Sequence, residues 1–212
     1  MPPDSRDVLP PTDLADLSTL RLNAPSMALQ RYFLGSGPMR HDAYVLQFNA
    51  VRLADVALAE YVSAREVVSK FHADHNSPGV HYYHRASAHF ENCIWAIERF
   101  IKHAKAIRSA TFVPQELASL IPKRSSFLQS GVEKSVTRAR HTLAHLEAAA
   151  LKGELPEGSN IALLPLKSGL SVGEHVIQWS SLAQWLTDIN TCGSALAGYR
   201  PPVGATTDGQ AA

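Results

Sequence analysis

Apolar residues recur at steps of three and four over long stretches of the chain, the spacing that puts one helix face against a core. The first such stripe is Tyr44, Phe48, Val51, Ala54, Leu58, Tyr61 and Ala64. It predicts a long helix over 38–74, entered through Gly37 and Pro38 and ended by Asn76-Ser77-Pro78-Gly79. Asp55 falls beside this stripe and is expected in solvent. Ser77 and Pro78 then open a second helix to about Arg108. Its stripe is Tyr83, Ala86, Phe90, Cys93, Ile94, Ile97, Ile101, Ala104 and Ile107. Residues 109–128 read as a connector with one short helix at 114–120. A third long helix starts at Ser130, where Ser130 and Glu133 match a capping box, and Gly153 ends it. Its stripe is Val132, Val136, Ala139, Leu143, Leu146 and Ala150.

The period then changes. Ile161 to Leu166 and Val172 to Trp179 predict two short strands around Lys167-Ser168-Gly169, with Pro165 marking an exposed edge. Ser181 to Gln184 form a second capping box before a last helix ending near Leu196. Pro-rich residues 1–25 predict a flexible or draped arm with a short helix at 26–34 behind it, and 199–212 a disordered tail. The expected fold class is mainly α: an antiparallel helical bundle with two long helices, a third helix, a small β-hairpin and a C-terminal helix, in one domain over 26–198.

Composition narrows the function only by exclusion. A net charge of +1 provides no global field for nucleic acid or membrane. No apolar stretch approaches the ~20 residues that span a bilayer, and the N-terminus lacks the pattern of a signal peptide. Cys93 and Cys192 read as free thiols of a reducing compartment, so a cytoplasmic protein without a membrane role is expected. There is no phosphate loop, dinucleotide fingerprint or nucleophile elbow.

The candidate chemistry lies on the third helix, in Arg138-Ala139-Arg140-His141-Thr142-Leu143-Ala144-His145-Leu146-Glu147. Imidazoles move protons near neutral pH, and a guanidinium grips a phosphate through two hydrogen bonds. At about 100° per residue, Arg138, His141 and His145 share the side opposite the apolar stripe, at about 180–240°, while Arg140 falls on the flank at about 80°. Such a face is either solvated or meets a partner.

Arg140-His141-Thr142-Leu143-Ala144-His145 resembles the signature of the HEPN superfamily: an arginine, four to six residues beginning with a polar one, then a histidine. Arg65 and His72, with Glu66 in the polar slot, also meet the spacing, but on an earlier helix. The resemblance covers about 38–152 and implies a bundle whose motif helices pair across a homodimer. It implies a metal-independent endoribonuclease or RNA-binding protein with no cofactor, in a superfamily that includes toxins and defence effectors countered by antitoxin proteins. By resemblance Arg140 would bind the scissile phosphate, His145 would transfer protons, His141 takes the polar slot, and Glu91 or Asn92 on the preceding helix would assist. Glu147 stands where some family toxins carry a modifiable tyrosine, so neutralisation by that route is not expected.

Local charge agrees with an RNA partner. Between 121 and 141 lie Lys123, Arg124, Lys134, Arg138 and Arg140 against Glu133 alone, and 99–108 adds Arg99, Lys102, Lys105 and Arg108 without an acid. Side by side, the two segments would form a basic strip, with Arg138, Lys134, Arg124, Lys102 and Lys105 as phosphate contacts. Helix C-termini attract cations in any case, and exposed arginines need no function.

Two alternatives remain at this level. The same fold can be a non-catalytic assembly module. Alternatively, His141 and His145, at i and i+4, can share a metal, with a third ligand from His81, His84, His89 or Glu91, as in a metal-dependent hydrolase.

Overall fold

The computed structural model describes residues 13–34, 39–73, 80–154, 163–172 and 175–201. The chain is mainly helical: α1 (Ala24–Leu34), α2 (His41–Ala73), α3 (Val80–Ser109), the single-turn α4 (Gln115–Ser119), α5 (Ser130–Leu151) and α6 (Trp179–Gly198). A 3-10 turn at Ser126–Leu128 precedes α5. Between α5 and α6 lie β1 (Leu164–Leu166), β2 (Gly169–Val172) and β3 (His175–Gln178). The expected links at 35–38 and 74–79, residues 1–12, Ile161 with Ala162, and the tail from 202 onward lie outside the described residues. No helix among the described residues is long and apolar enough to cross a membrane.

The α2–α3 hairpin is the axis of the fold, and its two sequence stripes meet. Tyr61 and Phe90 are fully buried with ring centroids 6.2 Å apart. Ala54, Leu58, Cys93, Ile94, Ile97 and Ile101 fill the seam around them. α6 lies on α2, close enough that a Cβ on Gly193 would meet that of Ala54 at 3.0 Å. The buried Gln47 amide donates to the Leu196 carbonyl at 2.6 Å and clamps the end of α6. α5 packs on α3, with Phe127 just before it stacked edge-on against Phe100 at 5.3 Å.

The predicted hairpin is a three-stranded antiparallel meander in the order β1-β2-β3. The register Leu166↔Gly169 leaves a two-residue turn at Lys167 and Ser168, and Leu170 pairs with Ile177 on the next strand. Gly169 is required there, since a Cβ would collide with the Ile177 carbonyl. Pro165 does lie on an edge strand, where no ladder donor is needed, but it is buried and not exposed.

Several local expectations change. Asp55 is not a solvated charge: it is 7% exposed, and its Oδ2 accepts the Asn23 and Ala24 amides at 2.7 and 2.6 Å. A residue 31 positions away thus satisfies the orphan amides at the start of α1. Neither capping-box serine occupies the N-cap position. α5 begins at Ser130 itself, with Gln129 at the cap position and Glu133 turned to Lys105. α6 begins at Trp179, so Gln184 lies well inside the helix and donates to Asp188 at 2.8 Å. Residues 13–23 are draped along α2, with Leu14 and Leu17 buried and the Leu14 and Ala15 carbonyls held by Arg65 and Tyr61.

Candidate functional site

α3 and α5 run antiparallel, as their cross-contacts show: Lys105 meets Glu133, Glu98 meets Arg140, and Glu91 to Trp95 stand opposite Leu143 and Ala144. Val132, Val136 and Ala139 are buried along this seam. Past them the stripe leaves the core: Leu143 is half-buried, Ala150 is exposed, and Leu151 is 84% exposed. The side chains of Leu146 and Glu147 lie outside the described residues. The outcome is an open cleft of about 540 Å³ lined by Glu91, Asn92, Trp95, Arg140, Leu143 and Ala144.

Glu98, outside the lining, holds Arg140 in place. It is 2% exposed, on a helix face otherwise built from Ile94, Ile97 and Ile101. Lys102 Nζ lies 2.7 Å from its Oε1. Arg140 Nη1 donates to Oε1 at 3.3 Å and stands 3.1 Å from Oε2 as a charge contact. One buried carboxylate therefore holds two cations, which compensates its own desolvation. Arg140 still leaves 41% of its side chain exposed, so it can present N–H groups to a ligand in the cleft.

The cleft wall on α3 is polar at one end and aromatic at the other. Glu91 Oε1 accepts the Leu163 amide at 3.3 Å, which ties the strand segment to the site. Asn92 Nδ2 reaches Glu60 Oε2 at 3.5 Å, and the same oxygen lies 2.7 Å from His89 Nδ1. Trp95 is 40% exposed, with the Arg99 guanidinium over its ring at 5.5 Å.

The structure therefore brings Arg140, Glu91 and Asn92 together, and leaves His141 and His145 outside the cleft lining. Both histidines are exposed on the outer face of α5, with ring centroids 4.1 Å apart. Among the expected phosphate contacts, Lys102 and Lys105 are engaged by Glu98 and Glu133. Lys134 and Arg138 are exposed on α5 and make no ion pair among the described residues. Arg124 is exposed in the turn before Ser125 and is not among the residues that line the cleft. The two basic segments do lie side by side, but Glu98 and Glu133 neutralise part of the strip.

No group of three His, Cys, Asp or Glu side chains among the described residues could hold a metal ion. Of the third ligands considered for His141 and His145, His89 is held by Glu60, Glu91 by the Leu163 amide, and His81 lies against Tyr82. Sequence reasoning missed Glu98 and Trp95. A signal existed for the first, since a carboxylate flanked by Ile97 and Ile101, four residues before Lys102, needs a partner to be buried.

No family model matches the chain, and no curated protein or solved structure matches it.

Proposed function

We propose that the chain is a HEPN-like RNA-binding protein that acts as a homodimer and cleaves RNA without a metal. The observation that carries this reading is the division of the motif. Arg140 lines the cleft, whereas His145, five residues on, stands about 140° farther round the same helix. A phosphate held by Arg140 of one chain would then find its proton-transfer group on a second copy. The outer face of α5, exposed at Lys134, Arg138, His141 and His145, supports that pairing.

In the proposed reaction the ribose 2′-oxygen attacks the adjacent phosphorus as His145 takes its proton. Arg140 stabilises the charge that builds on the phosphoryl oxygens. The P–O5′ bond breaks, and His145 returns the proton it took to the leaving 5′-oxygen. The products are a 2′,3′-cyclic phosphate and a 5′-hydroxyl. The test is cleavage of single-stranded RNA in excess EDTA. Wild type cuts and His145→Ala does not, while circular dichroism shows both folded. Equal cleavage by the two proteins would remove His145 from the chemistry.

One observation favours a second reading, a non-catalytic assembly module on the same fold: the Arg140 guanidinium is already engaged by Glu98. Dimerisation without cleavage, unchanged in His145→Ala, would select it.

A further inference from the structure

Resting on the RNA-binding reading, we infer that Trp95 is the stacking platform for one unpaired base, so that the α3–α5 cleft takes single-stranded RNA and not a duplex. Trp95 is set apart from the other two tryptophans. Trp185 is 8% exposed, and Trp179 is committed to the fold, with Phe90 at 5.1 Å and its Nε1 donating to the Leu166 carbonyl at 2.9 Å. Among the described residues Trp95 makes no such contact, yet a 40% exposed indole is costly to leave in water. Arg99, one turn on, sits over the ring and leaves the opposite face for a guest.

The surroundings suit a nucleotide. Leu143 and Ala144 offer an apolar wall across from the indole, and Asn92 and Glu91 present an amide and a carboxylate to the rim of a base. Arg140 stands in the same cleft with part of its guanidinium side chain exposed and can meet the phosphate of the same nucleotide. An exposed aromatic beside a cation is a pattern by which single strands are held, because every base has a π-face. In a duplex the bases already stack on one another, so the indole could not be used without opening the helix.

The experiment uses a short 2′-O-methyl RNA, which cannot be cleaved by 2′-hydroxyl attack, so binding is read whether or not the protein is a nuclease. Titration should quench tryptophan fluorescence in wild type but not in Trp95→Leu, which keeps apolar bulk without a π-face. Affinity measured by anisotropy should fall by about tenfold in Trp95→Leu and less in Trp95→Phe, in line with the stacking contribution of one base. The same sequence as a duplex should compete poorly. Undiminished affinity in Trp95→Leu, equal competition by the duplex, or no binding by wild type would each overturn the proposal. Binding with these signatures but no cleavage of ordinary RNA would leave the platform standing and remove the catalytic reading.

Discussion

Replacing Arg140 by alanine tests the buried ion cluster and also decides how an inactive variant is to be interpreted. Removing one partner of a buried ion pair costs on the order of 3–5 kcal/mol when the remaining charge is left alone. Glu98, at 2% exposure, is such a charge, but it keeps Lys102 at 2.7 Å. Arg140 is itself 41% exposed, so solvent already screens its contribution. The expected loss is therefore smaller, about 1–3 kcal/mol. For a chain of this length that is a fall in melting temperature of roughly 2–4 °C per kcal/mol. In the double variant Arg140→Ala/Glu98→Gln no buried charge is left behind, and most of the loss should return. Urea denaturation followed by circular dichroism would read wild type and both variants, with an unchanged denaturant slope as the check that the same transition is compared. A full-stability Arg140→Ala, or a double variant no better than the single one, would refute the view that Glu98 depends on Arg140.

Two further outcomes follow from buried groups. Burial pushes the Asp55 carboxyl above its usual range, although the Ala24 and Asn23 amides pull it back. A carboxyl raised on folding contributes stability that is present at low pH and lost as pH rises through its folded pKa. Asp55→Asn should thus remove a decline in urea stability that wild type shows as pH rises above the ordinary carboxyl range. Asp55→Ala, losing both amide contacts, should cost about 1–2 kcal/mol at pH 7; parallel pH curves for wild type and Asp55→Asn would contradict this. Burial likewise drives the Cys192 thiol up to about 12 and the Cys93 thiol higher still. Thiol reagents at pH 8 should label neither cysteine in the native protein and both in urea, and rapid native labelling would show one of them to be accessible.

Much of the fold was legible because α2 and α3 are long and carry uninterrupted apolar stripes. Ala54 to Ala64 and Phe90 to Ile107 are buried as their spacing required. What was not legible depends on neighbours distant in sequence. Asp55 looks solvated until the chain at Asn23 is laid against it. The capping pattern at Ser130 is only local, and Glu133 is better used by Lys105 across the seam. The α5 stripe was sound as far as Ala139, but sequence spacing cannot say where a partner helix stops covering it. At the site, the motif named Arg140 and the preceding helix named Glu91 and Asn92, and these do share a cleft. Glu98 and Trp95 belong to the same place but are known only from the packing of α3 on α5. The outward placement of His141 and His145 follows from the 3.6-residue period alone.

The central claim, an RNA-cleaving site shared by two copies, is tested most directly by measuring cleavage per chain in EDTA across protein concentration, with oligomeric state followed by sedimentation. Activity should fall in step with dissociation of the dimer and be absent in His145→Ala at every concentration. Undiminished activity in a solution of monomers, or no cleavage by an intact wild-type dimer, would contradict it.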